Sequence, residues 1–257
     1  MRESCVLVTR PREQAGPLTE LLTRAGMVAL AVPALDIVPL VKPGALQAQL
    51  HSGPGFDWII FISVNAVHYG LTALGELKAG KHPRLAAVGA ATARALAVSS
   101  LTVDVVPTDG ASSEALLGMA GMKEMRGRRV LIVRGAGGRE TLAETLRARG
   151  AQVEYAECYR RVPCSASALL LQRLLAEATT PPIATATSAD ILQALLALSG
   201  PKADTLRALP LAVMAPRIAH AARDAHWRGP IVTAKTPSDE ALVAVVRLLG
   251  HACDTLI

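Results

Sequence analysis

Two arginines occupy matching places in the chain. Arg10 closes the apolar run Val6–Thr9, and Arg134 closes Val130–Val133. A guanidinium at such a place suits carboxylates, which it grips with two parallel N–H bonds where geometry allows. For Arg10 a structural ion pair at the edge of a sheet competes with that use. Arg134 and Arg139 both lie in the segment RGAGGRE, Arg134 to Glu140, and its glycine-rich setting favours contact with a ligand for both. Ser63 and Ser188 each stand just before a helix-forming stretch. There a hydroxyl caps the helix, and the free N–H groups of the first turn receive an anion, so both uses are compatible. Ser113 and Ser238 read as simple caps. Tyr159 carries a phenol, a group able to give a proton to a departing hydroxyl. Packing of an amphipathic ring is the competing role.

Other chemistries find no support. The four cysteines (Cys5, Cys158, Cys164, Cys253) form no CxxC pair, and the six histidines are scattered. A zinc site or disulfide framework is not expected, and the thiols read as free and buried. Gly135 and Gly137 begin a GxGxxG pattern, but Glu140 stands where the third glycine belongs. The nucleotide reading is therefore poor, although Glu154 and Glu157 lie near where a ribose-binding acid would. The net charge of +6 attracts anions. Basic residues are dispersed and aromatics make up only 3% of the chain, so stacking platforms for nucleic acid are scarce and a small polyanion fits as well. Apolar runs such as Trp58–Ile62 are strand-length, far short of the roughly 20 residues of a membrane span. The opening reads as a first strand rather than a signal peptide, as in a cytoplasmic protein.

The elements that position these residues come twice. Val6–Pro39 aligns without a gap on Val130–Pro163, with nine identities that include Arg10/Arg134, Leu18/Leu142 and Gly26/Gly150. WIIFISVNAV then matches IATATSADIL, LAAVGAATARALA matches LAVMAPRIAHAAR, and SSEALL matches SDEALV, in the same order. Each copy reads as strand, helix, strand, then three strand–helix units. The first copy's strands include Val6–Thr9, Trp58–Ile62, Leu85–Val88 and Val103–Val106. Gly26 and Gly150 sit where a helix ends in the left-handed conformation. Strands alternating with helices predict parallel sheets covered on both faces. The pieces DIVPL (Asp36–Leu40) and CYRRVP (Cys158–Pro163) read as paired strands crossing between two lobes. Two arrangements fit: one lobe per copy, or a discontinuous lobe joining both ends of the chain with the middle forming the other. Ligands bind beyond the carboxyl ends of parallel strands. That edge holds the candidate binding residues Arg10, Ser63, Gly89, Thr92, Arg134, Gly135, Arg139, Thr187, Ser188, Pro216, Arg217 and Ile218.

The segments VLVTRP, FISVNAV, AVGAATARAL, SSEALL, VLIVRGAGGRETLAETLRARGAQVEYAECYRR and TATSADILQAL, in this order and spacing from Val6 to about Val246, resemble uroporphyrinogen-III synthases. The resemblance implies two α/β lobes with parallel, flavodoxin-like sheets, joined by a two-stranded antiparallel linker. It favours the discontinuous arrangement, with residues 1–36 and 164–257 in one lobe and 37–163, linker strands included, in the other. It implies a cyclising hydro-lyase acting on the linear tetrapyrrole hydroxymethylbilane. That enzyme expels the hydroxyl as water, inverts the last ring through a spiro intermediate and closes the macrocycle, with no metal or organic cofactor. It also implies a monomer that touches hydroxymethylbilane synthase transiently, with no nucleic-acid or membrane partner, and it makes Tyr159 a candidate acid. One loop departs from the pattern: many members have Gly-x-Thr-Thr-Ala where this chain has Ala215, Pro216, Arg217, Ile218 and Ala219. An expected hydroxyl contact is missing there, so a non-catalytic member acting as a tetrapyrrole-binding or regulatory module is the alternative. A two-lobed ligand-binding protein and a nucleotide-dependent oxidoreductase are weaker rivals.

Overall fold

The computed structural model describes residues 5–42, 44–50, 55–74 and 83–254. They fall into two compact units, one formed by residues 1–37 with 162–257 and the other by 38–161. In chain order the elements are β1 (Cys5–Val8), α1 (Arg12–Arg24), β2 (Val28–Ala31), β3 (Leu35–Pro39), α2 (Gln47–Leu50), β4 (Trp58–Phe61), α3 (Val64–Leu74), β5 (Arg84–Ala87), α4 (Ala90–Val98) and α5 (Ser113–Gly118). Then follow β6 (Arg129–Gly135), α6 (Thr141–Ala148), β7 (Gln152–Pro163), α7 (Ala168–Glu177), β8 (Ile183–Ala186), α8 (Ala189–Ser199), α9 (Ala203–Arg207), β9 (Leu211–Val213), α10 (Pro216–Asp224), β10 (Ile231–Thr233) and α11 (Asp239–Asp254).

The first unit's sheet has the order β10-β9-β8-β1-β2, with every pair parallel. Its central strand shows why both faces are covered. Val6, Leu7 and Val8 are all fully buried. Period-two alternation sends Val6 and Val8 into a core with Leu18 and Leu22 of α1 and Leu242 and Val246 of α11. Leu7 points the other way, into a core with Leu171 of α7, Leu195 of α8 and Ile218 of α10. The second sheet has the order β3-β7-β6-β4-β5, and its β4–β5, β4–β6 and β6–β7 pairs are parallel. Trp58, Ile60, Val130 and Ile132 face the core with α5 and α6. On the opposite face α3 lies very close, since a Cβ added at Gly70 would stand 2.4 Å from Val133.

Alternation of strands and helices forms a parallel sheet in the first unit as expected and a mixed one in the second, and Gly26 and Gly150 end their helices with φ of +77° and +86°. One expected strand is reduced. Val103–Val106 contributes only a single bridge, Val105 to Ala86. The Asp104 carboxylate accepts the Leu85 N–H that a longer ladder would use, and Pro107 follows at once, with no N–H to donate. A second correction concerns RGAGGRE: Arg134 and Gly135 still belong to β6, so the loop begins at Ala136. Among the described residues no helix is long and apolar enough to cross a membrane.

Two buried threonines join the distant parts of the first unit. Thr9 Oγ1 donates to the Thr185 carbonyl at 2.6 Å, and Thr185 Oγ1 donates to the Leu7 carbonyl at 2.7 Å. Both residues are fully buried. Thr185→Val keeps the shape and removes the side-chain bond to the Leu7 carbonyl, so it should lower unfolding free energy by about 1 kcal/mol. Urea denaturation checks this, and an unchanged midpoint would show the pairing to be dispensable.

Candidate functional site

In the second unit the carboxyl edge of the sheet encloses a cavity of about 170 Å³ lined by Ile62, Val88, Ser112, Ser113, Arg134, Arg139 and Tyr155, among others. Its helices begin with the expected chemistry, with one shift. Ser112, not Ser113, caps α5 by accepting the Ala115 N–H at 3.1 Å, which leaves Ser113 as the first helical residue on the cavity wall. Ser63 accepts the Ala66 N–H at 3.0 Å and so caps α3. Its Oγ also lies 3.0 Å from the phenol oxygen of Tyr159. Tyr159 is only 1% exposed. Its ring packs over Gly135, where an added Cβ would come within 2.5 Å of it, and beside Tyr69, with ring centres 5.6 Å apart. The buried phenol therefore communicates through Ser63, which is half-buried. Gly89 begins α4 without a side-chain cap, and a Cβ there would lie 2.5 Å from the Ala111 methyl. Thr92 lies inside that helix and is buried.

The two arginines at the end of β6 differ sharply. Arg134 is 3% exposed and consumed by internal partners: the Gly135 and Gly138 carbonyls, Glu140 at 2.8 Å and Glu157 at 3.7 Å. Its guanidinium lies 4.6 Å from the Tyr155 ring centre. Tyr155 in turn donates its hydroxyl to Glu140. That bond, then the one from Arg134, holds the Glu140 carboxyl below the usual carboxylate range. Burial, followed by the bond to Glu140, pushes the Tyr155 phenol up. Arg139 is 67% exposed and, among the described residues, pairs with Glu114 at 3.5 Å. An exposed pair of that length is worth little, so this guanidinium is available to a ligand.

The first unit presents its own set at the same edge. Arg10 is engaged in a two-pronged ion pair with Asp239, one arm 2.9 Å long. Ser188 caps α8 by accepting the Ile191 N–H at 3.2 Å, and Thr187 beside it is half-buried. Ser238 caps α11 through Ala241. Pro216 opens α10, and the preceding Ala215 has no side chain to cap it. Arg217 is exposed. Ile218 is a fully buried core residue, and its N–H is used by the Ala215 carbonyl at 3.0 Å. Among the described residues no cluster of His, Cys, Asp or Glu is placed to hold a metal. The Cys158 thiol is buried and pushed up to about 12, first by burial and then by Glu157.

The family described as uroporphyrinogen-III synthase HemD matches residues 16–244. The chain belongs to the uroporphyrinogen-III synthase family. Among its relatives, the uroporphyrinogen-III synthase of Salmonella typhimurium is 32% identical over 249 residues, covering 93% of this chain and 99% of the relative. That of Proteus mirabilis is 35% identical over 159 residues, covering 61% of this chain and 80% of the relative. The fold matches a crystal structure of a mutant uroporphyrinogen III synthase from Thermus thermophilus, with a TM-score of 0.61 at 18% identity, over 98% of this chain and 99% of that one. It also matches uroporphyrinogen-III synthetase from Helicobacter pylori, with a TM-score of 0.60 at 18% identity, over 97% and 100%.

In this member of the family, sequence reasoning missed Tyr155, Glu140 and Ser112. One signal for the first two lies in the repeat itself, because the first copy has Ala31 and Gly16 at the places of Tyr155 and Glu140. Gly135 is confined by the Tyr159 ring. Gly135→Ala should therefore overpack the site and lower stability by about 1–3 kcal/mol. A denaturation midpoint equal to the parent's would show that the ring has room to yield.

Proposed function

We propose that this chain is a uroporphyrinogen-III synthase, closing hydroxymethylbilane to uroporphyrinogen III in tetrapyrrole biosynthesis. The observation that carries the reading is family membership across nearly the whole chain, with a curated relative matched end to end. The reaction breaks the bond between the terminal methylene and its hydroxyl, which departs as water after taking a proton. The substituted carbon of the last ring then bonds to the electron-poor methylene, giving a spiro intermediate. The bond from that carbon to its original bridge breaks, the bridge re-bonds to the ring's free α-carbon, and that carbon's proton is released, so the ring is inverted as the macrocycle closes. The enzyme class is a cyclising hydro-lyase that uses neither metal nor organic cofactor.

In this reading Tyr159 supplies the proton, with Ser63 Oγ as the hydroxyl between the buried phenol and the substrate. Arg139 and Arg217, both exposed, receive acetate or propionate arms, aided by the first turns of α3, α4, α8 and α10. Arg10, Arg134, Gly89, Gly135, Thr92, Thr187, Ser188, Pro216 and Ile218 shape the same edges of the two sheets. The bilane loses water readily, so orientation carries more of the catalysis than proton transfer does. We also infer an internal duplication. The first sheet has the strand order 2-1-3-4-5 of flavodoxin-like folds, and the second matches its 2-1-3-4 part when β6 and β7 are counted as the first two strands, with β3 added beside β7. The Leu40 N–H bond to Cys158 and the Cys164 N–H bond to Ala34 are those expected of an antiparallel pair between β3 and β7.

The test is to supply hydroxymethylbilane and separate the product isomers. Uncatalysed closure gives type I. Type III in proportion to the amount of chain supports the proposal, and type I alone, with the substrate still bound, would favour the regulatory alternative raised by the uncapped Ala215–Ile218 turn. Tyr159→Phe should retain the fold and lower kcat about tenfold, less than the full effect of a general acid because water can deliver the proton less well. A Phe variant with parental kcat would remove Tyr159 as the donor. Arg139→Ala should raise KM with little change in kcat, as expected for loss of uniform binding. It should also flatten the dependence of KM on salt.

A further inference from the structure

The turn from Ala136 to Glu140 has the sequence AGGRE and no apolar side chain large enough to fix it. It is wound around the Arg134 guanidinium instead. Gly137 adopts φ of +72°. At Gly138 a Cβ would come within 2.9 Å of that guanidinium, so the backbone closes on it as only glycine permits. The far end of the turn is clamped from two sides: Glu140 Oε1 accepts from Arg134 at 2.8 Å, and Oε2 accepts from the Tyr155 hydroxyl. The Tyr155 ring completes the enclosure by lying against Arg134. All three nitrogens of this guanidinium, only 3% exposed, are hydrogen-bonded within the turn, so its first role is to hold the turn. Arg139 is next to Glu140 in the chain, and it is the side chain this turn presents at the cavity.

We propose that Arg134, Glu140 and Tyr155 form a latch whose role is to hold the turn, and with it Arg139 and the first turn of α6, ready for a substrate carboxylate. They are positioning residues that act through Arg139. The identity of the carboxylate's owner rests on the uroporphyrinogen-III synthase reading, but the latch does not. A glycine-rich turn left free would lose backbone and Arg139 freedom each time a carboxylate bound, and the latch removes that cost in advance.

The test uses Tyr155→Phe, which deletes the clamp and keeps the ring against Arg134. Three quantities are read: amide hydrogen exchange at residues 136–139, binding of uroporphyrin III (the oxidised, coloured form of the proposed product), and kcat and KM with hydroxymethylbilane. Exchange should quicken, and binding and KM should weaken, by about three- to tenfold, the usual worth of one hydrogen bond, with kcat within about twofold. Arg139→Ala should cost less in the Tyr155→Phe background than in the parent, because the two act in series. Glu140→Ala, at an exposed position, should reproduce the effect and covers the case in which the Tyr155 variant fails to fold. Unchanged exchange and KM in both variants would overturn the latch. So would full additivity with Arg139→Ala, or a fall in kcat at constant KM, which would place Tyr155 at the reacting atoms. Should the parent make no type III isomer, the functional reading fails while the exchange and binding measurements still decide the latch.

Discussion

Parallel pairing is the constraint on which the rest of the molecule depends. A strand followed by a helix that returns it to run parallel to its neighbour delivers every strand-to-helix loop to one edge of the sheet. In both units that edge collects the helix starts at Ser63, Gly89, Ser112, Ser188 and Pro216. Each start brings N–H groups that the helix itself leaves unused, so the edge favours negative charge before any arginine is added. The cores lock this arrangement, because a one-residue slip of β1 would exchange Leu7 with Val6 and Val8 between two close-packed cores shaped for the other side chain.

Within that frame the arginines divide into two kinds. Arg10 and Arg134 occupy equivalent strand ends, yet both are turned inward on structural partners, Asp239 in one case and the 135–140 backbone with Glu140 in the other. A buried guanidinium keeps its charge at low cost only when it is paired and hydrogen-bonded, and the loop around Arg134 supplies two carbonyls and the Glu140 carboxylate for that. Arg139 and Arg217, by contrast, are exposed. The architecture thus commits one set of cations to rigidity and leaves another at the surface, the set that the proposal assigns to the substrate's carboxylates.

Much of this was legible in the chain. Alternating apolar runs and helical spacing gave the parallel α/β units, and Gly26 and Gly150 announced the left-handed helix ends. The order of motifs gave the family. What stayed hidden depended on partners far away in sequence. Nothing local indicates that Asp104 takes the Leu85 N–H and shortens the Val103–Val106 strand. Nothing local shows that Arg134 rather than Arg139 would be enclosed. Ser112 and Ser113 are adjacent hydroxyls, and only the backbone angle selects the cap. Where the segments 6–39 and 130–163 agree, the shared residues lie in the scaffold; the proposed latch and acid fall where they differ, with Glu140, Tyr155 and Tyr159 aligned on Gly16, Ala31 and Leu35.

The central claim is that this chain's own side chains and backbone steer ring closure. It is tested most directly by the isomer composition formed from hydroxymethylbilane after exhaustive dialysis against a chelator. Type III should remain the dominant product, formed at the rate of the undialysed protein. A product that reverts to type I after dialysis, and returns to type III only when a metal ion or nucleotide is restored, would contradict the claim.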